Sequence, residues 1–200
     1  MPQELTEEQI EQLKRFQELP PEKQQEILAQ QCIFCQIAQG KIETIKVYED
    51  SDLMAVLDIN PANPGHTLIF PKKHFQFFFQ IPKNISEKMF ELAKRVSLNL
   101  TRVVKTQGIN LFVANGLPAG QRVPHFVLHV IPRYENDGLN FDWETKKVDQ
   151  KDLQKIAEAL KKDFEIEKQE QKKKAELAKK IEKGLKEQLE KELKKFKRVP

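Results

Sequence analysis

The sequence predicts an α+β protein, with a mainly antiparallel sheet layered against one long helix and helical extensions at both ends. Three observations carry this. Short apolar runs bounded by turn residues succeed one another as a meander, a helical stretch follows, and two more strand-like runs come after it. The helical stretch has apolar residues at Met89, Ala93, Val96, Leu100 and Val103, the spacing of one helix face. The segment "PHFVLHVIPR", Pro124 to Arg133, alternates: His125, Val127, His129 and Ile131 share one strand face, while Phe126, Leu128 and Val130 share the other.

In order along the chain, residues 6 to 31 read as two short helices. Thr6 and Gln9 have capping-box spacing, Pro20-Pro21 interrupts the run, and Pro21 suits a first helical turn. Cys32 opens a region with a short apolar helix or turn at Ile33, Phe34 and Ile37, followed by strands at Lys46 to Tyr48, Leu53 to Leu57 and Thr67 to Phe70. The loop "DINPANPGH" separates the last two. Ser86 is the expected cap of the long helix and Gly108 its expected stop; strands follow at Asn110 to Ala114 and in the alternating segment. Asp149 or Asp152 starts a further helix with Leu153, Ile156, Ala157 and Leu160 on one face. The domain reading is a helical extension at 1–31, a core at 32–160 and a tail at 161–200.

Charge is uneven. The net charge is +4 overall, but Lys151 to Pro200 holds seventeen Lys and Arg against eleven Asp and Glu, a net of +6 that leaves −2 on residues 1–150. The tail is mostly Lys, Glu and Gln with a thin apolar stripe at Leu177, Ile181, Leu185, Leu189, Leu193 and Phe196. A solvated helix or partly disordered tail is its ordinary reading; a protein partner or a nucleic-acid contact is the functional one. Aromatic side chains are not interleaved with the basic ones as base stacking would need, so support for nucleic acid is weak. No run approaches the roughly 18 apolar residues of a membrane span, and the N-terminus is acidic and polar, so the expected compartment is the cytoplasm.

The two cysteines lie three apart, at Cys32 and Cys35, a spacing of metal binding or redox chemistry rather than of a disulfide framework. The four histidines, His66, His74, His125 and His129, all fall in the sheet region. Taken singly, each has a structural reading as a packed, hydrogen-bonded side chain, and the thiols have one as small buried groups. Taken together, Cys32 and Cys35 with His74 and His125 supply the four soft and borderline donors of a tetrahedral Cys2His2 zinc site, structural in role.

"CIFCQIAQGKIETIKVYEDSDLMAVLDINPANPGHTLIFPKKH" and "GQRVPHFVLHVIPR" resemble the two signature regions of the histidine-triad (HIT) family of nucleotide-binding hydrolases and transferases. The likeness covers roughly residues 32 to 160. It implies a HIT-like two-layer fold, usually a homodimer through the long helix and an edge strand. It also implies a strand with three alternate histidines, the middle one attacking the α-phosphate of a nucleotide. His125 stands at the first position and His129 at the third; Val127 stands at the nucleophile position. The resemblance further places Asp58 at the ribose hydroxyls, Phe34, Ile37, Val56 and Ile59 around the base, and Asn115, Gln121 and His129 near the phosphates. The metal ligands of many zinc-containing members match Cys32, Cys35, His74 and His125. Arg122 stands where relatives often carry a small hydroxyl residue.

An isopropyl group offers no lone pair to phosphorus. Along an extended strand His129 lies about 6.6–6.8 Å from position 127, twice the about 3–3.5 Å of a reacting pair. His125, as a zinc ligand, has its metal-facing nitrogen occupied. The expected function is therefore a HIT-type binder of a purine nucleotide, AMP- or GMP-like, impaired in nucleotidyl-histidine chemistry. One alternative is a phosphoramidate or dinucleotide polyphosphate hydrolase using altered chemistry. The other is a zinc-stabilised scaffold that acts through its basic tail.

Overall fold

A computed structural model of the protein describes residues 6–196, excepting the side chains at 9, 13, 21, 25, 178 and 187–196. The elements are α1 (Glu7–Glu18), α2 (Pro21–Gln31), α3 (Ile33–Ala38), β1 (Lys46–Glu49), β2 (Leu53–Leu57), β3 (Thr67–Pro71), α4 (Lys83–Val103), β4 (Gly108–Phe112), β5 (Leu128–Arg133) and α5 (Gln150–Phe196). They form two compact units, one ending at Asn140 and the other beginning at Phe141.

In the first unit the five strands make one sheet in the order β1-β2-β3-β5-β4, and every neighbouring pair is antiparallel. Period-two alternation divides the sheet into two apolar faces. Leu53, Ala55, Ile69, Phe126, Leu128 and Val130 pack with Met89, Leu92, Ala93, Val96 and Leu100 of α4. Met54, Val56, Leu68, Phe70 and Val127 face the other way and pack with Ile37 and, less deeply, Phe34 and Ala38 of α3 and with Ile42. Each Val, Leu, Ile, Phe or Met among them, where fully buried, is worth about 1.5–3 kcal/mol over exposure. The α4 layer is thus the main clamp on the sheet, and the thinner α3 layer covers the face that carries the histidines.

Several boundaries differ from the sequence expectation. Ser86 lies inside the first turn of α4 and donates to the Lys83 carbonyl at 2.9 Å; Pro82 is the cap, accepting the Ile85 and Ser86 N–H groups through its carbonyl. A proline with φ −58° is already set for a helix entry, so the serine was not needed there. Gly108 does not stop α4, which ends at Val103; Lys105 makes the left-handed turn at φ 51° and Gly108 opens β4 opposite Arg133. The fourth strand is Gly108–Phe112 rather than Asn110 to Ala114. The ladder of β5 begins at Leu128, because the Phe126 N–H turns to the Phe75 carbonyl at 2.6 Å instead of to β3. The alternation of faces nevertheless runs back through Val127 and Phe126.

The two N-terminal helices form as expected, with Pro21 in the first turn of α2 and Gln24 Nε2 donating to the Gln17 and Leu19 carbonyls at the end of α1. The Thr6–Gln9 pairing lies outside the described side chains. In the second unit Asp149 accepts the Lys151 N–H at 2.8 Å and α5 runs without a break past residue 160. Leu153, Ile156, Leu160, Leu177, Ile181 and Leu185 are all exposed. Leu189, Leu193 and Phe196 lie outside the described side chains. No helix among the described residues is long and apolar enough to cross a membrane.

Candidate functional site: a Cys2His2 cluster beside a histidine pair

Cys32 caps the N-terminus of α3 and Cys35 lies one turn along it, so both thiols reach the same side. His74 follows β3 and His125 precedes β5, and the pairing of those strands brings them together under α3. All four side chains are buried, and one donor atom from each lies within 4.8 Å of every other. Cys32 Sγ is 3.3 Å from His125 Nδ1, and Cys35 Sγ is 3.3 Å from His74 Nδ1 and 3.6 Å from His125 Nδ1. A tetrahedron with metal–ligand lengths of about 2.0–2.3 Å has edges of about 3.3–3.8 Å, so these separations fit a zinc ion.

The outer contacts agree with that fit. His125 Nε2 lies 2.9 Å from the Pro71 carbonyl, which fixes the proton on Nε2 and leaves the Nδ1 lone pair facing the thiols. The two thiols titrate as a pair: the hydrogen bond from Cys35 lowers the Cys32 pKa, while the same bond and burial raise that of Cys35. A thiolate is the form of cysteine that ligates a metal, so the pair has the chemistry to hold a soft dication.

A second polar cluster sits on the same face. His129 is paired in β5 with Leu68 of β3 and Phe112 of β4, near the middle of the sheet. Its Nδ1 lies 3.1 Å from His66 Nε2. The Ala62 N–H donates to His66 Nδ1 at 3.2 Å, so the His66 proton is on Nε2 and is donated to His129. The proton of neutral His129 is then on Nε2. Asp58 Oδ2 lies 3.5 Å from His66 Nδ1, too far for a good hydrogen bond. Asp58, His66 and His129 also have donor atoms within 4.8 Å of one another. With both His66 nitrogens engaged, however, this is a hydrogen-bonded relay and not a ready metal site.

Burial lowers the His129 pKa to about 4, with the neighbouring His66 adding to the shift and Asp58 opposing it; burial also lowers that of His66. Both rings are neutral at pH 7. Since the unfolded chain takes up the His129 proton near pH 6.5 and the folded one near 4, stability is complete above about 6.5 and falls as the pH drops toward 4. The span corresponds to about 3 kcal/mol. Urea melts from pH 8 to 4 are expected to show this loss, and His129→Gln to flatten it; parallel curves for the two proteins would contradict the assignment.

Val127 lies between the two clusters, 8 % exposed, its isopropyl group packed with Ile37, Val56, Leu68 and Phe70. Phe34 packs beside the Cys2His2 cluster, its ring 4.9 Å from the Phe70 ring and 5.6 Å from His125. Of the expected base contacts, Phe34, Ile37 and Val56 thus share one apolar face. Ile59 does not join it and is 80 % exposed. Asn115 Oδ1 accepts the Phe78 N–H at 2.8 Å. The Gln121 amide ties its own loop together, accepting from Gly116 N–H at 2.7 Å and donating to the Gln76 and Val123 carbonyls at 2.8 and 3.1 Å. Arg122 is exposed. The sequence assigns His66 no role of its own: its place at the end of the Pro-Gly loop is visible there, its bond to a residue 63 positions away is not.

A family model described as HIT domain matches residues 39–136. "Protein hit" of Bacillus subtilis is 36% identical over 137 residues, 67% of this chain and 94% of the relative. The chain belongs to the HIT family. The adenosine 5'-monophosphoramidase hnt1 of Schizosaccharomyces pombe is 30% identical to this HIT protein over 64% of the chain and 95% of the relative. The crystal structure of a Zn-bound histidine triad family protein from Mycobacterium smegmatis superposes with a TM-score of 0.53 at 32% identity, covering 59% of this chain and 86% of that one.

Proposed function

We propose that this HIT protein binds a purine nucleotide, AMP- or GMP-like, and is impaired in nucleotidyl-histidine transfer. The observation that carries the reading is the buried isopropyl of Val127, at the position the family resemblance gives to the nucleophile. Asp58 is partly accessible, Phe34, Ile37 and Val56 share an apolar wall, and His129 offers a neutral Nε2–H donor. A carboxylate for ribose hydroxyls, an apolar wall for a base and a neutral donor for phosphate oxygen are what holding a nucleotide requires. Turnover by direct attack of water, without a covalent intermediate, is the second reading; the polar groups near His129 favour it only weakly.

Zinc at Cys32, Cys35, His74 and His125 belongs to the same proposal. The ion would tie α3 to the ends of β3 and β5 and supply no step of the chemistry. The homodimer implied by the family resemblance would use the edge strand β4 and helix α4, where Leu98, Val103, Leu111 and Phe112 are exposed; sedimentation velocity reads it directly. The basic tail is left to a separate partner.

Calorimetric titration with AMP and GMP tests the central claim. Saturable binding is expected, and Asp58→Asn should weaken it by about tenfold, the loss of a charge-assisted hydrogen-bond pair. Absence of saturable heat with either nucleotide would leave the scaffold reading in its place.

A further inference from the structure

The loop from Asp58 to His66 supplies the carboxylate that the nucleotide reading sets at the ribose and the imidazole that orients His129. Its own backbone closes only the mouth: the Asp58 N–H reaches the His66 carbonyl at 2.9 Å and the His66 N–H reaches the Asn63 carbonyl at 3.0 Å. The outward tie is the buried Asn63 side chain. Its Nδ2 donates to the Pro132 carbonyl at 2.8 Å and to Asp137 Oδ2 at 2.9 Å.

Asp137 is itself gripped from several sides. Arg133 meets it with two parallel bonds, Nε to Oδ2 at 2.6 Å and Nη2 to Oδ1 at 2.9 Å, and the Tyr134 and Leu139 N–H groups add bonds at 3.2 and 3.0 Å. The carboxylate side chain is only 5 % exposed. Arg133 is anchored in turn to Asn110 Oδ1 in β4 at 2.5 Å and to the Leu139 carbonyl at 2.6 Å. A bidentate fork fixes the plane of a carboxylate, which a single contact does not. On the loop's other side Gly65, at φ +92°, comes so close to the sheet and α4 that a Cβ would sit 2.9 Å from Leu100 Cδ2 and 3.3 Å from Pro132 Cγ. The loop is therefore seated on the end of β5 by one close backbone approach and one polar strut.

We infer that Asp137, held by Arg133 and bonded to Asn63, is a positioning residue for the ribose-facing wall formed by Asp58 and His66. What the wall recognises rests on the nucleotide reading; the chain of bonds does not. No atom of Asp137 needs to touch the ligand. Its effect is to keep Asn63, and with it the Ala62 N–H on His66 and the Asp58 carboxylate, at one setting, which a site must hold to within about 0.5 Å to discriminate.

The experiment compares AMP with 2′,3′-dideoxy-AMP by calorimetry in the parent, Asn63→Ala and Asp137→Ala, with Thr106→Val as control. The Thr106 hydroxyl bonds the Arg133 carbonyl and N–H at 2.7 and 2.9 Å, so its loss loosens the backbone of the same strand end and leaves Asn63, Asp137 and the Arg133 guanidinium unchanged. The parent should prefer AMP by at least about tenfold. Asn63→Ala and Asp137→Ala should reduce that preference to below about threefold, while Thr106→Val lowers the melting temperature and keeps it. Nitrogen-15 spectra of the nucleotide-free proteins give an independent readout: His66 and His129 should each show one tautomer in the parent and a mixture in the strut variants.

Strut variants that melt lower yet keep both the AMP preference and the single tautomers would overturn the inference. A parent that binds no AMP, with tautomers still disturbed by Asn63→Ala, removes the nucleotide reading and keeps the positioning role; undisturbed tautomers remove the positioning role as well. Should Asp137→Ala fail to fold, Asn63→Ala decides the matter, since it deletes the strut and leaves the Arg133–Asp137 pair in place.

Discussion

Cys35→Ala is expected to lower the melting temperature of the protein by roughly 10–20 °C, corresponding to about 3 kcal/mol or more for a domain of this size. The residue sits where α3 meets the sheet, with its Sγ 3.3 Å from His74 Nδ1 and 3.6 Å from His125 Nδ1. Three buried ligands without the fourth hold zinc poorly, and two imidazoles then lie beside an apolar cluster with no cation to satisfy them. The parent should carry close to one equivalent of zinc by elemental analysis, and the variant less than about a tenth. Removing the metal from the parent with a strong chelator should reproduce most of the fall, since metal binding and folding share one free energy. A metal-free parent that melts as the loaded one does would show the cluster to be four packed side chains and nothing more.

The two regions that bear chemistry differ in how far the sequence exposes them. Alternation in "PHFVLHVIPR" divides its faces correctly, because the period of a strand holds whether or not the ladder bonds are made; Val127 faces Val56 and Phe70 although β5 starts one residue later. The Cys2His2 set was legible because thiols three apart and histidines at strand ends are chemically rare. The loop that holds Asp58 and His66 was visible as a Pro- and Gly-rich stretch, but not its anchorage. Asn63 and Asp137 are 74 positions apart, and neither residue type announces a partner at that range. The helix ends failed for a different reason: Ser86 and Gly108 are good local signals, but Pro82 and Lys105 occupied those roles first and left the serine in a turn and the glycine in a strand. Propensity ranks candidates at a boundary, and the chain's neighbours choose among them.

Val127→His is expected to raise turnover of an adenosine phosphoramidate at least tenfold over the parent. The new imidazole would stand on the strand face that already carries His125 and His129, and would restore the lone pair that nucleotidyl transfer requires. Space sets the opposing term. Position 127 is 8 % exposed and packed against Ile37, Val56, Leu68 and Phe70, so the larger ring overpacks that face at a cost of about 1–3 kcal/mol. The variant should therefore melt lower and turn over faster, a combination that general stabilisation or a contaminating activity does not produce. Mass spectrometry of the variant quenched during turnover should show a nucleotidyl adduct on the segment from Pro124 to Arg133, absent from the parent. Equal rates for the two proteins, with nucleotide bound by both, would mean that the fault lies elsewhere in the site. Arg122 is then the first residue to vary, since the family resemblance implies a small hydroxyl residue there and Arg122 is exposed.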